Sequence, residues 1–276
     1  MNLKHAEQAV VEAARAVGAL MRKNLNAEKK ANEITRHDIK LELDVRCQKL
    51  IEKKLHAAFP EIALLGEEGV AGDKNAEYRW VVDPIDGTVN FAHGIPHASV
   101  SIALQQKTED RGPKPQAGRR KSSPATRHSS HTTLLGVVYD PFQDEMWTAL
   151  HGQAARLNGR AIHVSKTRKL GECIVSLGFA KDRSNLERAL PYLLWLARRS
   201  RKIRLLGSAA LALTYVASGR MDAYIERGIN LWDIAAGGLI LECAGGKFWR
   251  EPIDGPHKYR MIASNGLLHA KLPKPK

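Results

Sequence analysis

Apolar residues near the start of the chain recur at helical spacing. Val10, Ala13, Ala14, Val17, Leu20 and Met21 share one face of residues 3–24, with Lys, Glu and Arg between them, which predicts an amphipathic helix. A second stripe, Cys47, Leu50, Ile51, Leu55 and Ala58, predicts a helix over residues 44–59 that Pro60 ends. Short apolar runs predict strands at residues 62–65, 78–82, 99–104, 133–139, 145–149, 174–177, 202–205, 221–225, 247–250 and 260–263. Helical patterns return at 185–199, 208–218 and 232–244. Neighbouring strands in the middle of the chain, followed by alternating strand and helix, indicate a layered α/β (α+β) architecture with mixed sheets. No internal repeat is present.

Composition adds little to that picture, whereas charge adds more. The chain has 276 residues, 43% of them hydrophobic and 26% charged, enough to bury a core. Its apolar runs are interrupted well short of the roughly 18 residues that a membrane span needs. Glu7 and Glu12 occupy a start that lacks an apolar leader, so a cytoplasmic location is expected. The three cysteines, Cys47, Cys173 and Cys243, are widely spaced and contain no C-x-x-C pair. They indicate neither a disulfide framework nor zinc, and Cys47 and Cys243 fit the apolar stripes as core thiols.

The formal net charge is +14. Such a balance favours an anionic partner, whether nucleic acid, an anionic membrane surface or an acidic substrate. Residues 105–132 hold seven Lys or Arg against two acids, together with Pro113, Pro115 and Pro124, and no aromatic residue. This segment reads as a basic, extended and flexible insertion between two strands.

Candidate chemistry lies in three acidic clusters at the ends of elements: Gly66-Glu67-Glu68-Gly69, Asp83 with Asp86, and Asp233 in Leu231-Trp-Asp-Ile-Ala. Pro84 and Gly87 break the extended run after Val82, which places Asp83 and Asp86 at the carboxyl end of a strand, where α/β sheets bind ligands. A helix opening at Gly87-Thr88 offers free N–H groups to an anion. If the three clusters converge, their like charges raise one another's pKa unless a cation sits among them. Oxygen donors without a His or Cys cluster select Mg²⁺, with Mn²⁺ as the alternative, over zinc. His93 and His97 have the four-residue spacing of a helical metal pair, but Gly94 and Pro96 between them argue against one helix. Neither a Gly-x-Ser-x-Gly elbow nor a Walker-type loop is present.

Taken together, Gly66-Glu67-Glu68, Asp83-Pro-Ile-Asp-Gly-Thr-Val-Asn-Phe91 and Trp232-Asp233-Ile-Ala-Ala-Gly237 resemble the inositol monophosphatase family of Mg²⁺-dependent, lithium-sensitive phosphatases. The resemblance implies one α-β-α-β-α layered domain over residues 1–276, interrupted by the basic insertion, and a homodimer. It implies that Glu67, Asp83 and the Ile85 carbonyl hold a first metal and that Asp83, Asp86 and Asp233 hold a second, with a third, weaker ion near Glu67. It further implies that Thr88, with Asp44 and Glu67, orients the attacking water, that the Gly87 and Thr88 N–H groups meet the phosphate, and that Asp86, Ala209, Glu226 and Asp233 meet the substrate. Lys40 and Glu42, between Asp38 and Asp44, depart from the family's Thr-containing segment.

The expected activity is hydrolysis of a small polyol or sugar phosphate by metal-activated water, with inositol 1-phosphate as the default substrate. Fructose 1,6-bisphosphate, histidinol phosphate and a 3′-phosphonucleotide are the alternatives within that chemistry. An RNA- or ribonucleoprotein-binding protein that uses the insertion at 105–132 is the alternative of another class.

Overall fold

The computed structural model describes residues 1–27, 31–34, 39–73, 75–108, 130–178 and 183–275. The first apolar stripe forms α1 (Leu3–Asn24), started by the Asn2 side chain, which accepts the Lys4 and His5 N–H groups. A short hairpin, β1 (Ala31–Ile34) and β2 (Ile39–Leu41), leads into α2 (Glu42–Ala58). There follow β3 (Ala63–Gly66), β4 (Gly69–Ala71), β5 (Tyr78–Asp86), the one-turn α3 (Thr88–Ala92), β6 (Ser99–Thr108), β7 (Ser130–Asp140), β8 (Glu145–Leu150), β9 (Arg156–Leu157) and β10 (Arg160–Ala161). The remainder comprises β11 (Ile174–Leu177), α4 (Arg183–Ala197), β12 (Lys202–Arg204), α5 (Ala209–Ala217), β13 (Ala223–Asn230), α6 (Leu231–Cys243), β14 (Lys247–Pro252) and β15 (Lys258–Ser264).

Two mixed sheets result. The larger runs β10-β9-β8-β7-β6-β5-β3-β4 and the smaller β12-β11-β13-β15-β14. Strand alternation divides the apolar residues of the large sheet between two cores. Trp80, Val82, Ile102, Leu104 and Val137 pack under α1 and α2, whereas Leu65, Val81, Ala103, Val138 and Trp147 pack against α5 and α6. Tyr224, Met261 and Ala263 of the small sheet close the second core from its far side. On that sheet's outer face Val175, Ala223, Ile225 and Ile262 meet Tyr192 and Leu196 of α4. The layers are therefore α-β-α-β-α, as expected. No described helix is long and apolar enough to cross a membrane.

Several expected boundaries move, for identifiable reasons. The strand expected at 78–82 continues through Pro84 to Asp86, because the register shifts between Asp83↔Ser101 and Asp86↔Ser99. A bulge at that point accommodates a residue without an N–H, so Pro84 bends the strand instead of ending it. The strands bounding the basic segment also reach further than their apolar residues suggest. Gln105 and Gln106 pair with Thr133 and Thr132, and the ladder continues to Thr108↔Ser130. Residues 105–108 and 130–132 are thus strand, and the rest of the expected insertion, 109–129, lies outside the described residues.

The α6 layer meets the sheet very closely at Gly136, where a Cβ would stand 2.7 Å from the Ala236 carbonyl oxygen and 3.1 Å from its Cα. Backbone cannot retreat as a flexible side chain would. Gly136→Ala is therefore expected to cost about 1–3 kcal/mol of stability through overpacking, read as a lower urea midpoint at unchanged slope. A variant as stable as the parent would contradict this packing.

Candidate active site

Asp83 and Asp86 leave the sheet at the β5 bulge with almost no exposure, 2% and 5%. The Ile85 N–H donates to Asp83 Oδ1 at 3.1 Å, closing a local turn. Gly87 follows with φ +95°, and a Cβ there would lie 3.0 Å from the His97 carbonyl oxygen and 3.1 Å from that of Gly207. Both the left-handed conformation and the close approach call for glycine. Thr88 then opens α3, and its hydroxyl donates to the Ile85 carbonyl at 2.9 Å. Asn90 Nδ2 donates to the carbonyls of His97 and Leu206, each at 2.9 Å, clamping this turn to the segment that leads into α5.

The Asp86 carboxylate is directed at the start of α5. It accepts the Ala209 N–H on Oδ1 at 3.0 Å and the Ala210 N–H on Oδ2 at 2.9 Å. Ser208 Oγ and Ser99 Oγ also donate to Oδ2. Burial pushes this carboxyl's pKa up, and those four donors pull against the rise. Asp86 thus serves as a remote cap for α5, offsetting unsatisfied N–H groups and a positive dipole end.

Asp83 and Asp233 are less well compensated. Burial raises the pKa of Asp83 well above the usual carboxylate range, and the nearby charges of Glu67, Asp86, Asp233 and Asp44 raise it further. Asp233 is raised well above that range by burial first and then by Glu67 and Asp86, against one N–H donated by Asn230 at 2.9 Å. Asp44, 2% exposed, accepts the Leu41 N–H at 2.7 Å at the start of α2. Glu67 follows β3, where its N–H donates to the Val82 carbonyl at 3.1 Å. The acids at the ends of β3, β5, α2 and α6 therefore share one electrostatic neighbourhood.

Among the described residues, however, no three His, Cys, Asp or Glu side chains stand in a ready ligand group. Each of Asp44, Asp83, Asp86 and Asp233 has an oxygen held by a local donor, and both Asp86 oxygens are held. The donor set still suits a hard divalent cation, being all oxygen, largely withdrawn from solvent and mutually repelling.

Glu226 lies on β13, within electrostatic reach of Asp233. It receives the hydroxyl of Tyr224, which is 3% exposed, and rests over Gly178, where a Cβ would come within 1.6 Å of its Oε2. Ala209 is 9% exposed, and its N–H is taken by Asp86. The sequence reading missed Ser99, Ser208 and Gln48. Ser208 sits in an N-cap position before an apolar helix, a signal that was available. Gln48 accepts the Glu68 N–H at 2.9 Å, and a Cβ on Gly66 would stand 2.2 Å from its Oε1. This contact links two elements and leaves no local pattern.

The remaining candidates lie apart from this chemistry. α3 ends at Ala92 and Gly94 takes φ +73°, so His93 and His97 do not share a helix face. Burial pushes the Cys47 thiol up to about 12 and the Cys173 thiol up to about 11. Cys243 is only half-buried rather than fully in the core.

Residues 2–112 and 128–273 match the model of the Inositol monophosphatase family. The unmatched stretch between them falls inside the basic segment. The chain is 35% identical over 273 residues to the Nus factor SuhB of Xylella fastidiosa, covering 95% of this chain and 90% of that protein. It is also 35% identical to the fructose-1,6-bisphosphatase/inositol-1-monophosphatase of Thermotoga maritima, over 90% of this chain and 85% of that one. The crystal structure of extragenic suppressor protein suhB from Bartonella henselae superposes with a TM-score of 0.83 at 30% identity, covering 97% and 96% of the two chains.

The electrostatics have a consequence for stability. Asp83 and Asp233 bind protons more tightly folded than unfolded, so their contribution is fully present below the unfolded pKa of about 3.9 and is lost as pH rises through the raised folded values. Without divalent cations, Asp83→Asn is expected to stabilise the chain at pH 7, because the folded state opposes ionisation of this carboxyl. The gain should shrink towards zero below pH of about 4. Thermal melts of the metal-free proteins across pH check this; a destabilised variant at pH 7 would contradict it.

Proposed function

The chain belongs to the inositol monophosphatase family, a family of phosphomonoesterases, and from that membership we propose that it hydrolyses a small sugar or polyol phosphate with Mg²⁺. The observation that carries the proposal is the crowding of Glu67, Asp83, Asp86 and Asp233 in one buried neighbourhood, where their charges oppose ionisation. A divalent cation relieves that opposition. Glu67, Asp83 and the Ile85 carbonyl would hold one ion and Asp83, Asp86 and Asp233 a second, with a third near Glu67 and Mn²⁺ as a substitute. Bound there, such ions lower the pKa of a water, neutralise charge on the leaving oxygen and orient the phosphate.

The chain's own groups supply the rest. Because the Thr88 hydroxyl donates to the Ile85 carbonyl, its lone pairs are left to accept a hydrogen from the attacking water. Glu67 and Asp44 would take that water's proton. The Gly87 and Thr88 N–H groups would hold phosphate oxygens. Glu226, together with Asp86, Asp233 and the Ala209 backbone, would meet the hydroxyls of the polyol, with inositol 1-phosphate as the first substrate to test. The proposal includes a cytoplasmic homodimer. Exposed apolar side chains at Ile95, Leu194 and Leu205, 49%, 57% and 57% exposed, are the kind of surface that a second copy covers.

A second reading rests on the relative named Nus factor SuhB and on the basic stretch that the family model does not match. In it the segment 105–132 binds RNA or a ribonucleoprotein as an electrostatic arm, and its affinity falls steeply with salt. Unchanged RNA affinity at low salt after deletion of 109–129 would remove this reading.

Phosphate release with Mg²⁺ is expected from inositol 1-phosphate. A panel with fructose 1,6-bisphosphate, histidinol phosphate and a 3′-phosphonucleotide, repeated with Li⁺, ranks the substrates. Asp83→Asn should fold and lose at least about a hundredfold in kcat, since charge stabilisation supplies most of this reaction's acceleration. Full activity in that variant, or no release from any substrate, would overturn the proposal.

A further inference from the structure

Tyr224 and Glu226 stand two residues apart on β13 and so share one face of that strand, the face on which Tyr224 packs between the two sheets. The strands on either side decide where the Glu226 side chain can lie. On one flank β15 sets Met261, fully buried, opposite Glu226. On the other, parallel β11 sets Leu177 beside Ile225, and the Gly178 N–H donates to the Ile225 carbonyl at 3.0 Å. Gly178 is therefore the lateral neighbour of Glu226. A Cβ at Gly178 would stand 2.2 Å from Glu226 Cδ, so the carboxylate occupies the notch that the missing side chain leaves.

In that notch the Tyr224 hydroxyl donates to Glu226 Oε2. The phenol stays protonated: burial holds its pKa well above the ordinary value, and Glu226, Asp86 and Asp233 raise it further. Glu226 in turn acts on Asp233, which places this pair at the margin of the acidic site. A free glutamate loses rotamer freedom each time it engages a ligand, whereas one seated during folding is already ordered.

We propose that Tyr224 is a positioning residue for substrate choice: its hydroxyl, with the notch at Gly178, holds Glu226 in the orientation that accepts hydroxyl groups of the polyol. The inference rests on the reading of the chain as a Mg²⁺-dependent phosphatase of polyol phosphates. Phosphate and attacking water meet other groups, so the contribution is confined to the leaving-group end. Such a contact is the same before and during reaction, and its loss appears in KM rather than in kcat.

Steady-state kinetics with Mg²⁺ on two substrates test this, inositol 1-phosphate and 4-nitrophenyl phosphate, whose leaving group carries no free hydroxyl. Tyr224→Phe keeps the buried ring and should raise KM for inositol 1-phosphate by at least about tenfold, the loss of one charge-assisted hydrogen bond, at near-parental kcat. KM for the aryl phosphate should not move. Gly178→Ala, which displaces the carboxylate, should give the same split. In a Glu226→Ala background, removal of the Tyr224 hydroxyl should have no further effect, because it acts through that carboxylate. Parental KM for inositol 1-phosphate in Tyr224→Phe, an equal rise for both substrates, or a further loss in the Glu226→Ala background overturns the positioning role and leaves the phosphatase reading standing. Release from neither substrate by the parent chain removes both.

Discussion

A buried carboxylate stays charged only where donors or cations surround it, and the architecture turns on one that meets that condition. Asp86 ends β5 of the large sheet, and its oxygens hold the opening N–H groups of α5, which lies between the two sheets. Ser99 of the adjacent strand and Ser208 complete its shell. A strand end and a helix start are thereby fixed to each other through a single side chain. Gly87 and Asn90 secure the same junction from the backbone side, with contacts to Gly207 and Leu206. Sheet, one-turn helix and α5 meet in one small volume, and the candidate site lies there.

Asp83 and Asp233 show what that arrangement leaves unresolved. Their donors are few and their neighbours are acids, so the folded chain opposes their ionisation. Natural cores rarely retain such a group without use, because removing it to apolar packing is often neutral or stabilising. Retention of several together is the structural argument for a cation.

Much of this was legible in the sequence, because the long elements carry strong periodicity. α1, α2, α5 and α6 and most strands begin and end within a few residues of their patterns. The failures share a cause, which is information held across space. Pro84 reads as a strand end locally, but the partner strand absorbs it by a register shift. Gln105, Gln106 and Thr132 look like the start of a polar loop, yet their backbones continue the ladder. The hairpin β1–β2 is too short for periodicity to register. At the site, carboxylate identities stood out in the motifs, whereas Gln48 and Ser99 act through contacts between elements and were invisible.

Relatives at equal identity carry the names Nus factor SuhB and fructose-1,6-bisphosphatase/inositol-1-monophosphatase, so neither the fold nor overall identity selects a function. Residues beyond the metal-facing acids must do so. On the proposed reading, the far side of the substrate meets Glu226, whose position is fixed by the Tyr224 hydroxyl and by the absence of a side chain at Gly178. A carboxylate there, with Asp86 and Asp233 close by, accepts hydrogen bonds from hydroxyl groups and repels a second phosphate. A single phosphate on an otherwise uncharged polyol suits that end better than a bisphosphate does.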